Sequence, residues 1–525
     1  MKIKNLYIAI VAAAMTLGMS SCNDYLDKQP DSRLDLQSPS DVSKLLVSAY
    51  PTRHPAYLLE MYSDNSDCNI NTGWEAASRF QEQAYKWEDI TDNDNESPDG
   101  IWTGYYGAIT NANIALQYIS AKSKDEQSEY AAQKGEALVC RAFNMFQLAN
   151  IFCQAYDETT AETDLGLPYP EEAESNVHGK YERGTLAQLY SKIEADLIEG
   201  MSLLGSDYEK PKFHFTTSAA QAFAARFYLY YHKYDKAIEY ADKVLGSNPK
   251  AMLRDWAAWS QLTVNQQVAP NAYINSSVKA NLLLQVVVSE WGAIGGPYLY
   301  GDMYAHSALI SSNETLESTG PWGKSAEALN YVIFFNPSMS KYMVRKIPYD
   351  FEYSDIQAGI GLPHTEYADF TADETLMVRA EAKAMTGDYQ GAVDDLNTEL
   401  SAFGNEQVTP LTIDNIKSFY SKLAYYTPTA PTARKAFHTA FAIEQDTQEP
   451  ILQCILHLRR ILTIHEGLRM QDVKRYGITI YRRNVRSNYK ITDVTDTMEA
   501  RDPRLAIQLP QDVINAGLPA NPRNK

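Results

Sequence analysis

Two stretches of this chain follow the same order of helix, tight polar turn and second helix, and this repeat limits the possible fold more than any other feature. The first copy, TTSAAQAFAARFYLYYHKYDKAIEYADKVLGS, spans residues 216–247. The second copy, LMVRAEAKAMTGDYQGAVDDLNTEL, spans residues 376–400 and aligns with the first at a constant offset of 155, so that Ala225 matches Ala380. Because small residues let paired helices approach closely, the repeat predicts a scaffold of packed helix pairs.

Three upstream segments have the apolar spacing of helices and extend this scaffold. Residues 101–120 place apolar side chains three and four apart, residues 134–157 are apolar on most faces, and residues 183–204 carry an apolar stripe. Helix pairs of this kind are typical of tetratricopeptide-type repeats. We therefore predict a mostly α fold, with a tetratricopeptide-like helical-pair scaffold over residues 36–256 and 372–480.

The region between the two copies, residues 257–371, has a different composition. Trp, Tyr, Gly, Pro and Ser become frequent there, helical periodicity fades, and the runs NLLLQVVV (281–288) and KYMVRKI (341–347) have the character of strands. We predict a loop-rich insertion that carries short strands, and residues 61–100 have a similar character. Long ordered loops in compact domains often carry function, so a ligand is expected at these two segments.

The first 21 residues have the layout of a secretory signal, with two lysines before an apolar run and small residues at its end. The run is shorter than the ~18 residues that a spanning helix needs, which disfavours a retained membrane anchor. The residues just before Cys22 resemble a bacterial lipobox, in which the cysteine is acylated and becomes the new N-terminus. We predict a signal peptide over residues 1–21 and a lipid on Cys22, with an ordinary signal peptide as the alternative.

The formal net charge is -19, and removal of residues 1–21 makes the chain still more acidic. No basic stripe offsets this charge, so nucleic acid is not expected as a partner.

No linker rich in Pro, Ser and Gly divides the chain, and we predict a single domain over residues 22–525. The cysteines beyond Cys22 lack the spacing of a zinc site. They are Cys68, Cys140, Cys153 and Cys454, and Cys140 and Cys153 are predicted to be buried.

The stretch IHEGLR contains the first half of a zinc-protease motif, but Arg469 stands where the second histidine must be. The motif therefore fails. The spacing of three between Glu466, Arg469 and Asp472 instead predicts an ion pair within one helix or a buried contact between carboxylate and guanidinium.

The acidic run over residues 89–100 resembles a calcium loop, but Ser97 occupies the glycine position and Thr103 the final glutamate position. A solvated acidic loop is the prediction, and calcium in another geometry is left open.

With 66 acidic residues, a carboxylate pair of the glycosidase type gives no specific signal. Nucleophile elbow, P-loop and dinucleotide motifs do not occur. The missing motifs do not exclude an enzyme, but they favour a binding protein; no cofactor and no metal ligands are predicted, apart from the calcium left open above.

Aromatic rings in loops are free to stack on a ligand, and amide and carboxylate groups beside them can hydrogen-bond to it. The alternative for each ring is that it packs its loop onto the scaffold. The candidate ligand-binding residues in the two loop-rich segments are Asp67, Asn71, Trp74, Arg79, Trp87, Trp291, Tyr298, Tyr300 and Trp322.

Seven stretches, in the same order along the chain, resemble the SusD/RagB family of outer-membrane nutrient-binding lipoproteins. They are CNDYLD, IWTGYYGAITNANIALQYI, GEALVCRAFNMFQLANIF, GLPYP with RGTLAQLYSKIEADL, FTADETLMVRAEAKAMTGDYQGAVDDLN, HEGLRMQDVKRYG and DPRLAIQLPQDVINAGLPANP.

The resemblance implies a bundle of tetratricopeptide-like helix pairs with an irregular second half, the SusD-like fold. It also implies a lipid-anchored protein on the outer cell surface that binds a nutrient, usually a glycan and in some members a peptide. Its partner would be a SusC-type TonB-dependent transporter, whose mouth it covers. A surface glycan hydrolase and a purely structural assembly protein are the alternatives from other functional classes.

Overall fold

The computed structural model of the protein describes residues 36–70, 75–173, 181–294, 303–336, 341–486 and 490–523. The predicted signal peptide and Cys22 lie outside the described residues. Helices dominate the described part, which confirms the predicted mostly α fold.

The helices of the first half are α1 (Pro39–Leu46), α2 (Ala56–Tyr62), α3 (Arg79–Tyr85), α4 (Pro98–Ser120), α5 (Lys124–Glu129), α6 (Ala131–Phe152), α7 (Leu186–Leu203), α8 (Thr217–Tyr230), α9 (Tyr234–Leu245), α10 (Trp256–Ser260) and α11 (Val268–Tyr273). Those of the second half are α12 (Trp291–Ile294), α13 (Ala308–Glu314), α14 (Ser325–Ala328), α15 (Ala372–Thr386), α16 (Tyr389–Phe403), α17 (Ile413–Lys422), α18 (Gln448–Leu462), α19 (Arg469–Tyr476) and α20 (Gln511–Asn515). Short 3-10 turns occur at Val47–Ala49, Pro211–Phe213, Pro249–Met252 and Pro503–Leu505.

The strands are β1 (Asp67–Asn69), β2 (Asn281–Val288), β3 (Tyr304–Ala305), β4 (Thr319–Gly320), β5 (Gly323–Lys324), β6 (Ile333–Asn336), β7 (Lys341–Val344), β8 (Asp350–Asp355), β9 (Ile360–Thr371), β10 (Ile480–Val485) and β11 (Ile491–Met498). One sheet has the order β11-β10-β1-β3, with β1 parallel to β10. A second has the antiparallel order β2-β9-β8, and two further hairpins join β4 to β5 and β6 to β7.

The two copies of the sequence repeat fold as matching helix pairs. The first helices begin at Thr217 and Ala372, and the second helices at Tyr234 and Tyr389, so both starts differ by the predicted offset of 155. The pair α8 and α9 packs directly against α15, because fully buried alanines on these helices leave room for close approach. Glycine in the left-handed region ends α15, where Gly387 has φ 86°.

Aromatic side chains from different helices fill the centre of the scaffold. Phe143 and Phe146 on α6 contact Phe223 on α8 with ring centroids 5.7 and 5.6 Å apart. Phe370, at the end of β9, completes the cluster at 5.9 Å from Phe143. The long strand that leaves the insertion is therefore anchored in the helical core, which attaches the sheet β2-β9-β8 to the scaffold.

The insertion contains the predicted strands with some corrections to their ends. β2 coincides with the predicted run 281–288, whereas only residues 341–344 of the second run form a strand. Cys140 and Cys153 are buried as predicted, and Cys68 and Cys454 are buried as well. None of the described helices is both long and apolar enough to cross a membrane.

A buried network of ion pairs joins the region after α2 to the C-terminal helices. Asp64 receives two hydrogen bonds from Arg469, at 2.7 and 2.9 Å, and also lies 3.4 Å from Arg460. Positive charge on these guanidinium groups holds the pKa of the Asp64 carboxyl well below its usual range, although burial alone acts in the opposite direction. All three side chains are almost fully buried.

The structure corrects one prediction for the IHEGLR stretch. α19 begins at Arg469, so Glu466 precedes the helix and pairs with Lys346 at 2.9 Å. Asp472 pairs with Arg459 on α18 rather than with Arg469. The predicted ion pair within one helix between these residues is therefore wrong, whereas the predicted buried contact between carboxylate and guanidinium is present with a distant partner.

Replacement of Arg469 by Met is expected to lower the free energy of unfolding by about 3–5 kcal/mol, because it removes both hydrogen bonds that this guanidinium donates to the buried Asp64 carboxylate. Lys192→Met is the matched control, since Lys192 pairs with Glu171 at the surface, and it is expected to cost less than about 1 kcal/mol. Urea unfolding of both variants measures the difference. Equal costs would show that the buried network does not contribute as described.

Glu399 on α16 provides a pH-dependent test of the core. Its carboxylate is fully buried and has no hydrogen-bond partner among the described residues, and this burial, together with nearby Asp373, raises its pKa well above the ordinary 4.5. The folded state therefore keeps its proton at pH values where the unfolded chain has lost it. That contribution to stability is complete below the unfolded pKa and is lost as pH rises towards the folded value.

Glu399→Gln keeps the shape and removes this titration. The wild-type protein is therefore expected to lose stability relative to the variant between about pH 5 and about pH 8, as measured by urea unfolding at both values. A stability difference that stays constant over this range would contradict the burial of an unpaired carboxyl at this position.

Candidate functional site

The three predicted ligand-binding tryptophans that the structure describes are core residues. Trp291 is stacked on Tyr57, with ring centroids 4.7 Å apart, and its indole N–H donates to the carbonyl oxygen of His465. Trp322 is fully buried and donates to the hydroxyl of Ser325. Their ring faces are covered by other side chains, which corrects the expectation that they contact a ligand.

Trp87 is corrected for the same reason. Its indole N–H donates to the carbonyl oxygen of Tyr62 at 2.8 Å, and the guanidinium of Arg482 lies 4.1 Å from the ring centroid. The residue has φ 57°, an unusual value for a tryptophan. Tertiary contacts hold it there, so this ring joins the loop to the C-terminal strands and is not available for stacking on a sugar.

The two charged candidates have different surroundings. Asp67 is fully buried and pairs with Arg483 at 2.9 Å, while Ser307 donates a hydrogen bond to its carboxylate. Asp67 therefore supports the sheet, and its predicted contact with a ligand is corrected. Arg79 lies at the surface, where its guanidinium donates to the hydroxyl of Thr91 at 2.6 Å.

The remaining candidates, Asn71, Trp74, Tyr298 and Tyr300, lie outside the described residues. The described residues beside them meet at one place. The amide of Asn69 donates to the carbonyl of Met303 at 2.6 Å, and the amide of Met303 donates to the carbonyl of Glu75 at 3.1 Å. The chain segments 71–74 and 295–302 thus both end beside the pair β1 and β3, and we name this place the loop junction.

A groove of about 980 Å³ opens beside the N-terminal half of α4. Residues 47–53 form its floor, because β2 and α4 hold this segment from opposite sides. Gln285 on β2 donates to the carbonyl of Pro51 at 2.5 Å, and Asn111 on α4 donates to the carbonyl of Ser48 at 3.0 Å. The polar residues that line this α4 groove are Ser48, Thr52, Arg53, Asn93, Asp94, Asn95, Asp99, Thr103, Asn111, Lys210, His214 and Gln285.

Two glycines of α4 give the groove its shape. A Cβ atom at Gly104 would lie 2.8 Å from the side chain of Arg53, and one at Gly100 would lie 2.6 Å from the carbonyl oxygen of Asn95. Any larger residue would push these neighbours away. Glycine at both positions therefore lets the floor and the acidic loop lie directly against the helix.

Two polar groups of the groove have no hydrogen-bond partner in the part of the chain that the structure describes. Gln285 is 4% exposed, and its amide oxygen is free although its amide nitrogen is bonded. The Nε of Arg53 is likewise free, and burial lowers the pKa of this guanidinium. A buried acceptor and a buried donor without partners are costly, so they favour a bound polar molecule or water.

The groove is lined by both acidic and basic side chains. Asp94 and Asp99 lie beside the N-terminal end of α4, and burial raises the pKa of the Asp94 carboxyl. Lys210 and His214 also line the groove, and His214 is bonded to buried Glu136 at 2.8 Å. Such a surface offers donors and acceptors to hydroxyl groups. Within the described residues, no group of three His, Cys, Asp or Glu side chains is arranged to hold a metal ion.

Reasoning from the sequence missed this groove because its residues come from four separate segments. The acidic run 89–100 has the pattern of an imperfect calcium loop and residues 101–120 have that of a helix, and neither pattern by itself indicates a groove. Glu96 in that run is buried, accepts a hydrogen bond from the amide of Glu290 at 2.6 Å and has a pKa raised to about 7, mainly by burial. The run is therefore partly packed rather than fully solvated. The glycines at 100, 104 and 107 were the available signal.

Trp291→Ala and Trp322→Ala are expected to lower the free energy of unfolding by about 3–5 kcal/mol each, because both rings fill the core. Val268→Ala, at a position 43% exposed on α11, is the control and is expected to change it by less than about 0.5 kcal/mol. Urea unfolding measures all three. A tryptophan variant with wild-type stability would return that ring to the list of candidate ligand contacts.

Comparison with known proteins finds one matching family model and solved structures that share the fold. A SusD-like family model, described as starch-binding and associating with the outer membrane, matches residues 24–229. No curated protein matches the chain. Among solved structures, a SusD superfamily protein from Bacteroides thetaiotaomicron is 20% identical, with a TM-score of 0.61 over 93% of this chain and 100% of that chain.

Two further structures cover the same share of this chain. A putative sugar binding protein from Bacteroides vulgatus is 19% identical, with a TM-score of 0.62 over 93% of this chain and 99% of that chain. A laminarin binding SusD-like protein is 16% identical, with a TM-score of 0.52 over 93% of this chain and 100% of that chain. At these identities the likeness establishes a shared fold.

Proposed function

This chain belongs to the SusD/RagB family, and from that premise we propose that it binds an oligosaccharide at the outer cell surface without altering it. It then delivers the oligosaccharide to a SusC-type TonB-dependent transporter. A lipid on Cys22, exposed after removal of residues 1–21, anchors the protein, and residues 22–525 act as one domain.

The α4 groove carries the ligand-binding part of this proposal. Its volume lies at the upper end of the range of about 300–1,000 Å³ that is usual for ligand sites. The free amide oxygen of Gln285 and the free Nε of Arg53 are matched to hydroxyl groups, each of which can donate and accept a hydrogen bond. Carboxylates at Asp94 and Asp99 add acceptors that bind hydroxyls more strongly than neutral groups do.

The loop junction is the proposed second part of the site. Asn71, Trp74, Tyr298 and Tyr300 belong to the two segments that end there. The rings of Trp74, Tyr298 and Tyr300 would stack on the apolar C–H face of a sugar, and the amide of Asn71 would hydrogen-bond to its hydroxyls. Arg79 lies nearby and is bonded to Thr91, which begins the acidic stretch leading to the α4 groove. One extended ligand could therefore contact both places.

The family model supports the proposed location, and the net charge supports the proposed kind of partner. The matching family model is described as associating with the outer membrane. With a net charge of -19, the protein would meet a transporter that offers basic residues, and assembly would be sensitive to salt. A peptide in place of the oligosaccharide is the alternative within the family, because both acidic and basic side chains line the groove.

The proposal is tested by titrating the chain starting at Asn23 with a panel of oligosaccharides and short peptides in a calorimeter. An oligosaccharide is expected to bind, and Asp99→Asn and Trp74→Ala are each expected to weaken binding at least about tenfold. Asp414→Asn is the control for Asp99→Asn, since Asp414 also lies in the first turn of a helix but far from the groove.

The outcomes separate the rival functions. Wild-type affinity in both Asp99→Asn and Trp74→Ala would refute the proposed site, and binding of peptides alone would replace the oligosaccharide. A shortened oligosaccharide after incubation would favour a glycan hydrolase, whose acid would then be sought at Asp94. Binding of no compound in the panel would favour a purely structural role.

A further inference from the structure

A hairpin of two strands projects from the sheet β2-β9-β8. β9 pairs with β2 through residues 364–371 and with β8 through residues 360–364. The end of the hairpin therefore extends beyond the last residue of β2. Its large apolar side chains are unusually exposed, with fractions of 54% for Tyr353, 81% for Ile356, 60% for Ile360 and 50% for Leu362.

Among the described residues, no other element covers these side chains. A hairpin of two strands is only marginally stable without a covered face, and clusters of exposed apolar side chains mark contact sites. β8 is also the outer strand of its sheet in the described part of the chain, so its free edge suits pairing with another chain. The hairpin has the features of an interaction element.

The charge of the hairpin restricts what can cover it. Residues 350–366 contain four carboxylates and no lysine or arginine. His364 is the one basic side chain there, and it lies 3.6 Å from Glu352. Apolar side chains bordered by carboxylates complement an apolar pocket bordered by lysine and arginine.

We propose that residues 350–364 form the docking hairpin for a protein partner whose surface offers an apolar pocket bordered by basic residues. This inference rests on the proposed function, because the partner it identifies is the transporter. The apolar tip enters the pocket, and the carboxylates of Asp350, Glu352 and Asp355 fix the orientation and accelerate association.

Charge argues against the other possible occupants. A second copy of this chain would bring two acidic hairpins together, each on a protein with a net charge of -19. A membrane surface with anionic headgroups would repel the same carboxylates. The helical scaffold is the rival docking face, and it also has exposed apolar residues, such as Ile114 at 37% and Ile198 at 45%.

The test uses the full chain with its anchor and an affinity tag, expressed in the source bacterium. The hairpin variant combines Tyr353→Ser, Ile356→Ser, Ile360→Thr and Leu362→Thr. The scaffold variant combines Ile114→Ser and Ile198→Ser, two exposed apolar positions on the rival docking face, as a control. After purification from detergent-solubilised envelopes, mass spectrometry identifies and quantifies the TonB-dependent transporter that is retained.

The hairpin variant is expected to retain at least about tenfold less transporter than the wild type. Its oligosaccharide affinity is expected to stay unchanged, since these residues do not line the α4 groove. The scaffold variant is expected to retain transporter like the wild type. Full retention by the hairpin variant, or loss in the scaffold variant alone, would overturn the docking hairpin and leave the proposed function in place.

Two further measurements separate the docking hairpin from the proposed oligosaccharide binding and test the hairpin carboxylates. A wild-type protein that retains no transporter would refute the partner and with it the docking hairpin, whereas the oligosaccharide titration would stand by itself. A variant with Asp350→Asn, Glu352→Gln and Asp355→Asn is expected to flatten the dependence of transporter retention on salt. An unchanged dependence would refute the proposed role of these carboxylates.

Discussion

The buried ion pairs around Asp64 are the interaction on which the rest of the structure depends. Arg469, which donates both hydrogen bonds to this carboxylate, is 405 residues away along the chain. Each group would carry a large desolvation cost alone, so the segment after α2 and the C-terminal helices are stable only together. The neighbouring pair of Asp67 and Arg483 extends the same linkage into the sheet, where β1 lies parallel to β10.

That linkage also fixes the elements beside which the loop junction, the α4 groove and the docking hairpin lie. With β1 fixed against β10, its other edge is left for β3, and the segments that carry the predicted ligand residues end there. The α4 groove and the docking hairpin lie on β2 and on β8 and β9 of the second sheet, which Phe370 anchors in the helical core. A rigid centre thus holds both proposed binding surfaces in place.

Local patterns in the sequence predicted the scaffold well, because apolar spacing and helix-ending glycines act within a few residues. The helix pairs that begin at Thr217 and Ala372, strand β2 and the buried cysteines follow from such patterns. The candidate site was predicted poorly. Residue type and loop position predicted ligand contact for Trp87, Trp291 and Trp322. A large ring in a loop can, however, be stabilised by burial in the core as much as by contact with a ligand.

The sequence by itself determined the repeat, the mostly α class and the acidic charge, since each depends on residue spacing or on a sum over residues. Only the tertiary structure decided which loop side chains are buried, which partner Arg469 takes and where a groove opens. These outcomes depend on contacts between residues hundreds of positions apart. The free energy of such contacts comes from desolvation and shape, which no local pattern of residues records.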